Sequence, residues 1–142
     1  MNILIPCDGS TPALHAVKYA AQLLASLQAG AHHITLLSVH DDAGLRHAKS
    51  MVGLEAVTEF LRAQGEKDLK AARKLLSSRG IAYEEALCTG HVAQQIVAFA
   101  QRGKFDLIVM GSKGRSGIAD LLLGSVAQRV LASAKQPVLL VK

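Results

Sequence analysis

The chain has no tryptophan, and aromatic residues make up only 4% of it, so its core must be aliphatic. Binding single-stranded nucleic acid by base stacking needs aromatic platforms, which this composition supplies poorly. Two cysteines cannot form a disulfide framework, and a reducing, cytoplasmic setting is the simplest expectation. Charged residues account for 19% against 50% hydrophobic, which excludes intrinsic disorder. No apolar run approaches the roughly 20 residues of a membrane span. Met1 to Ser10 lacks a basic leader region and reaches Asp8 early, unlike a signal peptide. Sixteen Lys and Arg against 11 Asp and Glu give a net charge of +5. That balance suits anionic partners, but the basic residues are scattered, which speaks against nucleic acid.

What is present alternates regularly. With 142 residues, one domain spanning 1–142 is expected. Ile3-Leu4-Ile5-Pro6-Cys7 is apolar without a period, as in a strand buried on both faces. Asp8-Gly9-Ser10 breaks it, Ser10 or Thr11 caps a helix, and Pro12 suits its first turn. Leu14, Val17, Ala21, Leu24 and Leu27 recur at helical spacing toward a stop at Gly30. Ile34 to Val39 reads as a second strand, and Ala43 to Gly53 as a loop or a loosely held helix start. Leu54 to Ser78 has a helical period (Leu54, Val57, Leu61, Leu69, Ala72, Leu76), with Gly65 tolerated inside it. A third strand follows at Ala82 to Leu87. A helix then runs from His91 to Gly103 on Val92, Ile96, Val97 and Phe99. Phe105 to Met110 is a fourth strand, Ser125 to Ala134 a last helix, and Pro137 to Val141 a fifth strand.

Alternating strands and helices imply an α/β fold, an open five-stranded parallel sheet with helices on both faces. With strand order 3-2-1-4-5, the order reverses between strands one and four, where such sheets bind ligands. The two most specialised loops, Asp8-Gly9 and the glycine-rich stretch from Gly111, follow those strands.

Gly111, Gly114, Gly117 and Gly124 fall within fourteen residues, with Lys113, Arg115 and Arg129 nearby. Glycines let a ligand approach the backbone, successive free amides make an anion nest, and Gly124-Ser125 opens a helix whose dipole favours phosphate. Residues alone leave two readings open, a phosphate-binding loop and a long surface turn. Asp8 likewise has two: a carboxylate that accepts from an amino group, or an Asx turn and helix cap. The P-loop pattern is absent, as is a G-x-G-x-x-G after the first strand. A receiver domain is excluded too, since one acid follows strand one and Cys88-Thr89-Gly90 follows strand three.

The spacing Gly111-x2-Gly114-x9-Gly124-Ser125 resembles the motif of the ATP-binding branch of the universal stress protein family. The opening Ile3 to Ser10 and the closing Gln136 to Val141 resemble that family's first and last strands. The resemblance implies a Rossmann-like fold of the adenine nucleotide alpha hydrolase type. It implies that Asp8, with the backbone around Pro6 and Val39, holds adenine, and that Met110 and Gly111 lie along the nucleoside. Gly114, Gly124, Ser125 and Val126 would hold the phosphates of ATP or another adenine nucleotide, with or without Mg²⁺. It also implies a homodimer through Val138 to Val141. Cys7 stands where the family usually has Val.

Three functions compete: a nucleotide-dependent stress-response binding module, a small adenine-nucleotide hydrolase or adenylyl-transfer enzyme, and a partner-docking module with an empty crevice. No catalytic base stands in the glycine loop. The six histidines show no zinc spacing, and His40 with Asp41 and Asp42 reads as solvated loop. Cys7 and Cys88 read as buried structural thiols. Glu66, Lys67, Asp68, Lys70, Arg73 and Lys74 read as a solvated helix face.

Overall fold

The computed structural model describes residues 1–28, 30–115 and 122–142. Its elements run β1 (Asn2–Pro6), α1 (Thr11–Ser26), β2 (His33–His40), α2 (Leu45–Val52) and α3 (Leu54–Ser78). β3 (Tyr83–Thr89), α4 (Val92–Arg102), β4 (Leu107–Gly111), α5 (Ser125–Ser133) and β5 (Val138–Val141) follow. The five strands form one parallel sheet in the order β3-β2-β1-β4-β5.

Strand alternation explains the two cores. Ile3 and Ile5 point to one face with Ile34, Leu36 and Val109, where they meet Ala16, Val17, Ala20 and Ala21 of α1 and Leu69, Ala72 and Leu76 of α3. Leu4 points to the other face with Leu37, Ile108 and Met110, against Ala93, Ile96 and Ala100 of α4 and Ala127 and Val130 of α5. Both faces of β1 are therefore covered, which is why its sequence lacks a polar alternate.

Several local expectations change. α1 is capped by Ser10, whose hydroxyl accepts from the Ala13 amide at 3.3 Å. It ends at Ser26 rather than running to Gly30, because Leu27 is extended and lies on the surface. Its buried stripe consists of Ala13, Ala16, Val17, Ala20 and Ala21, with Leu14 and Leu24 half-buried. Small residues let this helix lie close to the sheet. The stretch after His40 contains a helix, α2, with Leu45, Ala48, Met51 and Val52 at helical spacing; Gly53, at φ +89, joins it to α3.

β3 is an edge strand, half-exposed along its length, and begins one residue later than expected. β4 starts at Leu107, because Phe105 instead packs on Phe99 with ring centroids 5.8 Å apart. At Gly65 a Cβ would lie 2.5 Å from Cδ2 of Leu87, the far end of a half-exposed side chain that can shift.

Candidate nucleotide cleft

A cleft of about 380 Å³ opens at the carboxyl ends of β1 and β4, where the strand order reverses. Pro6, Asp8, Val39, Met110, Gly111, Gly114, Gly124, Ser125 and Val126 all line it, so the structure brings together every residue expected at the site. Gly117 and Asp120 lie outside the described residues.

The apolar part of the cleft comes from Pro6, Leu37, Val39, Val92, Ile96 and Met110. Asp8 follows β1 and makes the turn into α1 that its Asx reading anticipates. Its Oδ1 accepts from the Ser10 amide at 3.0 Å and from the Ser10 hydroxyl at 2.5 Å, forming the turn into α1. Its Oδ2 faces Gly114, whose built Cβ would lie 3.1 Å away. One oxygen thus organises the turn while the other borders the cleft.

The glycine loop divides its tasks. Gly111 ends β4 against the start of α1, where a Cβ would come within 2.8 Å of the carbonyl carbon and the Cβ of Pro12. Its glycine is a packing requirement. The Gly124 amide donates to the Ser112 carbonyl at 2.7 Å and closes the loop on itself. Gly124 therefore does not offer its N–H to a ligand, which corrects one element of the expected phosphate set. It acts instead as the N-cap of α5, with extended backbone and no side-chain cap. The first amides of α5, on Ser125, Val126 and Ala127, have no intrahelical acceptor, and all three residues line the cleft. With the helix dipole behind them, these amides suit an anion.

The charges near the loop are arranged differently from expectation. Arg115 is not a free cation: its Nε donates to the Asp8 carbonyl at 2.5 Å and its Nη2 to Oδ1 of Asp68. Arg129 contacts Nε2 of His91 at 2.9 Å. Lys113 lines the cleft.

Asp68 was expected on a solvated helix face and is instead 5% exposed. Its Oδ2 accepts from the hydroxyl of the fully buried Ser38 at 3.2 Å and lies 3.3 Å from His40 Nε2. The Ser38 proton goes to Asp68, so His40 Nε2, 3.1 Å from the same hydroxyl, is the donor to it. His40 is thus tied into a buried network rather than solvated. The signal for Asp68 lay in the helical phase: it is three residues after Gly65 and four before Ala72, both buried. The rest of that face is exposed as expected, with Arg73 bridging Glu66 and Glu85 of β3.

Cys7 is buried in the wall of the cleft. Burial, with Asp8 and Asp68 nearby, pushes its thiol up to about 12. Burial also raises the Cys88 thiol. Among the described residues no three His, Cys, Asp or Glu side chains gather as a metal site. No helix among them is long and apolar enough to cross a membrane.

Comparison with known proteins gives a consistent result. The model of the universal stress protein family matches residues 1–142. Universal stress protein MJ0531 of Methanocaldococcus jannaschii is 38% identical over 141 residues, covering 99% of this chain and 81% of the relative. The solved structure of MJ0577 from the same organism superposes with a TM-score of 0.85 at 27% identity, covering 99% of this chain and 94% of the other. A universal stress protein solved in complex with cAMP superposes with a TM-score of 0.72 at 27% identity, covering 100% and 97%. With the sheet order, the glycine spacing and a match from the first residue to the last, the chain belongs to the universal stress protein family.

Proposed function

We propose that this chain is one nucleotide-binding domain, 1–142, that holds an adenine nucleotide, ATP in the first instance, in the cleft between β1 and β4. It would act as a nucleotide-dependent binding module of the stress response in the cytoplasm. The observation that carries the reading is the uncapped start of α5, with the amides of Ser125, Val126 and Ala127 on a cleft whose other end is apolar. A polyphosphate fits the amide end, and a purine fits between Pro6 and Val39. In this reading Oδ2 of Asp8 accepts from the exocyclic amino group. The relative solved with cAMP supports an adenine nucleotide as the ligand class.

Mg²⁺, where it accompanies ATP, would draw its oxygen ligands chiefly from the phosphates and water. The ion would supply charge neutralisation between phosphate oxygens. A homodimer is part of the same reading. β5 is an edge strand of apolar residues, and pairing with β5 of a second copy about a twofold axis would cover it.

Heating freshly purified protein and separating the released small molecules by chromatography tests the ligand. An adenine nucleotide near one equivalent supports the reading, and a phosphate-release assay on the same sample separates a binding module from a hydrolase. Protein that releases no nucleotide and takes up none at millimolar concentration would contradict it.

A further inference from the structure

Asp68 lies on α3, outside the glycine motif, yet both of its oxygens are committed toward the cleft. Oδ2 accepts from the buried Ser38 hydroxyl, which in turn contacts His40 Nε2. Oδ1 takes the Arg115 guanidinium from above. The same guanidinium donates through Nε to the carbonyl of Asp8. Gly9 makes the room: it has φ +78, and a Cβ there would lie 3.1 Å from Asp68 Oδ1 and 3.3 Å from Asp68 Cα. Arg115 directly follows Gly114, so one planar fork pins the glycine loop to the β1–α1 turn and to α3.

We infer, on the reading of the cleft as a nucleotide site, that Asp68 is a positioning residue for phosphate binding. It touches no ligand. It holds Arg115, and through Arg115 it sets the place of the Gly114 backbone against Asp8 and the start of α5. A carboxylate this buried needs partners for both oxygens, so the latch and the buried network support each other. Phosphate affinity depends on the latch, whereas the nucleoside end, built from Pro6, Val39 and Met110 with the Asp8 carboxylate held in its turn by Ser10, does not.

The test compares ATP with adenosine by calorimetry in wild type, Asp68→Asn, Arg115→Gln and the double variant. Asn keeps the shape of Asp and still accepts from Ser38. ATP affinity should fall about tenfold in each single variant, as expected for losing one charge-assisted contact, and no further in the double. Adenosine affinity should stay within about twofold of wild type in all of them. Unchanged ATP affinity in folded Asp68→Asn would overturn the inference, as would equal losses for ATP and adenosine.

Hydrogen exchange of the Gly114 and Arg115 amides in ligand-free protein gives an independent readout. Both variants should speed it while leaving β1 and β2 protected, and unchanged exchange would remove the latch. Should wild type bind neither ATP nor adenosine, the nucleotide reading fails; exchange still decides whether Asp68 holds the loop. Should Asp68→Asn not fold, Arg115→Gln, whose side chain is half-exposed, carries both measurements.

Discussion

Gly114 and Asp8, 106 positions apart in the chain, meet across the cleft: the Cβ that Gly114 lacks would sit 3.1 Å from Oδ2 of Asp8. The contact joins the turn after β1 to the loop after β4, the two strands that flank the reversal of sheet order. A side chain on Gly114 would press on the carboxylate oxygen that borders the cleft. Gly114→Ala should therefore weaken ATP binding by about tenfold, or 1.4 kcal/mol. The larger Gly114→Val should abolish it at micromolar protein. Titration calorimetry checks both, and unaltered affinity in Gly114→Val would show that this contact has no part in binding.

Gly111 should behave differently, because its missing Cβ would meet the backbone of Pro12 rather than a movable carboxylate. Gly111→Ala should destabilise the fold by about 1–3 kcal/mol as an overpacked site. Urea unfolding reads this directly; a midpoint equal to wild type would mean that β4 and α1 separate more easily than their packing suggests.

Gly65 sets two effects against each other. Alanine in a helix interior is favoured over glycine by about 1 kcal/mol. The added Cβ would lie 2.5 Å from Leu87 Cδ2. Leu87 is 47% exposed on an edge strand, so it can swing aside at the loss of part of its packing. Gly65→Ala should thus change stability by less than about 1 kcal/mol. In a Leu87→Ala background the same substitution should recover the full propensity gain. Identical effects in both backgrounds would show that the two residues are uncoupled.

The thiols should be slow nucleophiles. Only the thiolate attacks, and Cys7 is held near 12 by burial. At pH 8 native protein should resist alkylation at Cys7, and both thiols should react promptly once the chain is unfolded in urea. Prompt modification of Cys7 in the folded protein would contradict its burial.

Arg73 hydrogen-bonds Glu66 and holds that carboxyl below the ordinary glutamate value. A folded value below the unfolded one favours the fold above the ordinary value. That contribution fades as pH falls through the depressed value. The group is exposed, so the effect is small. Arg73→Gln should return the Glu66 titration, followed by carboxyl carbon shifts, to the ordinary range; an unmoved titration would rule out Arg73 as the cause.

Much of the fold was legible because β1 and β4 carry uninterrupted apolar runs and α3 a clear helical period, with glycines near the element ends. The positions lining the cleft were reached through the family resemblance that the glycine spacing and the opening and closing strands carry; the spacing alone left a phosphate loop and a surface turn open. Asp68 escaped because its neighbours Lys67 and Lys70 disguise it as surface charge, although Gly65 and Ala72 share its buried phase. Arg115 read only as positive charge near the glycine loop because nothing local reveals a partner 47 positions earlier. The amide of Gly124 was assigned to phosphate, but loop closure onto Ser112 is a tertiary event. α2 was read only as a loop or a loosely held helix start: Leu45 and Ala48 are half-buried while Met51 and Val52 stay exposed, so no fully buried stripe marks it.

Thermal unfolding with and without Mg-ATP tests the central claim most directly. At ligand one hundredfold above its dissociation constant the folded state gains about 2.7 kcal/mol, roughly 9 °C in Tm for a chain of this length. The account predicts such a rise at millimolar ATP, absent in Gly114→Val. A wild-type Tm that does not move with millimolar ATP would contradict it.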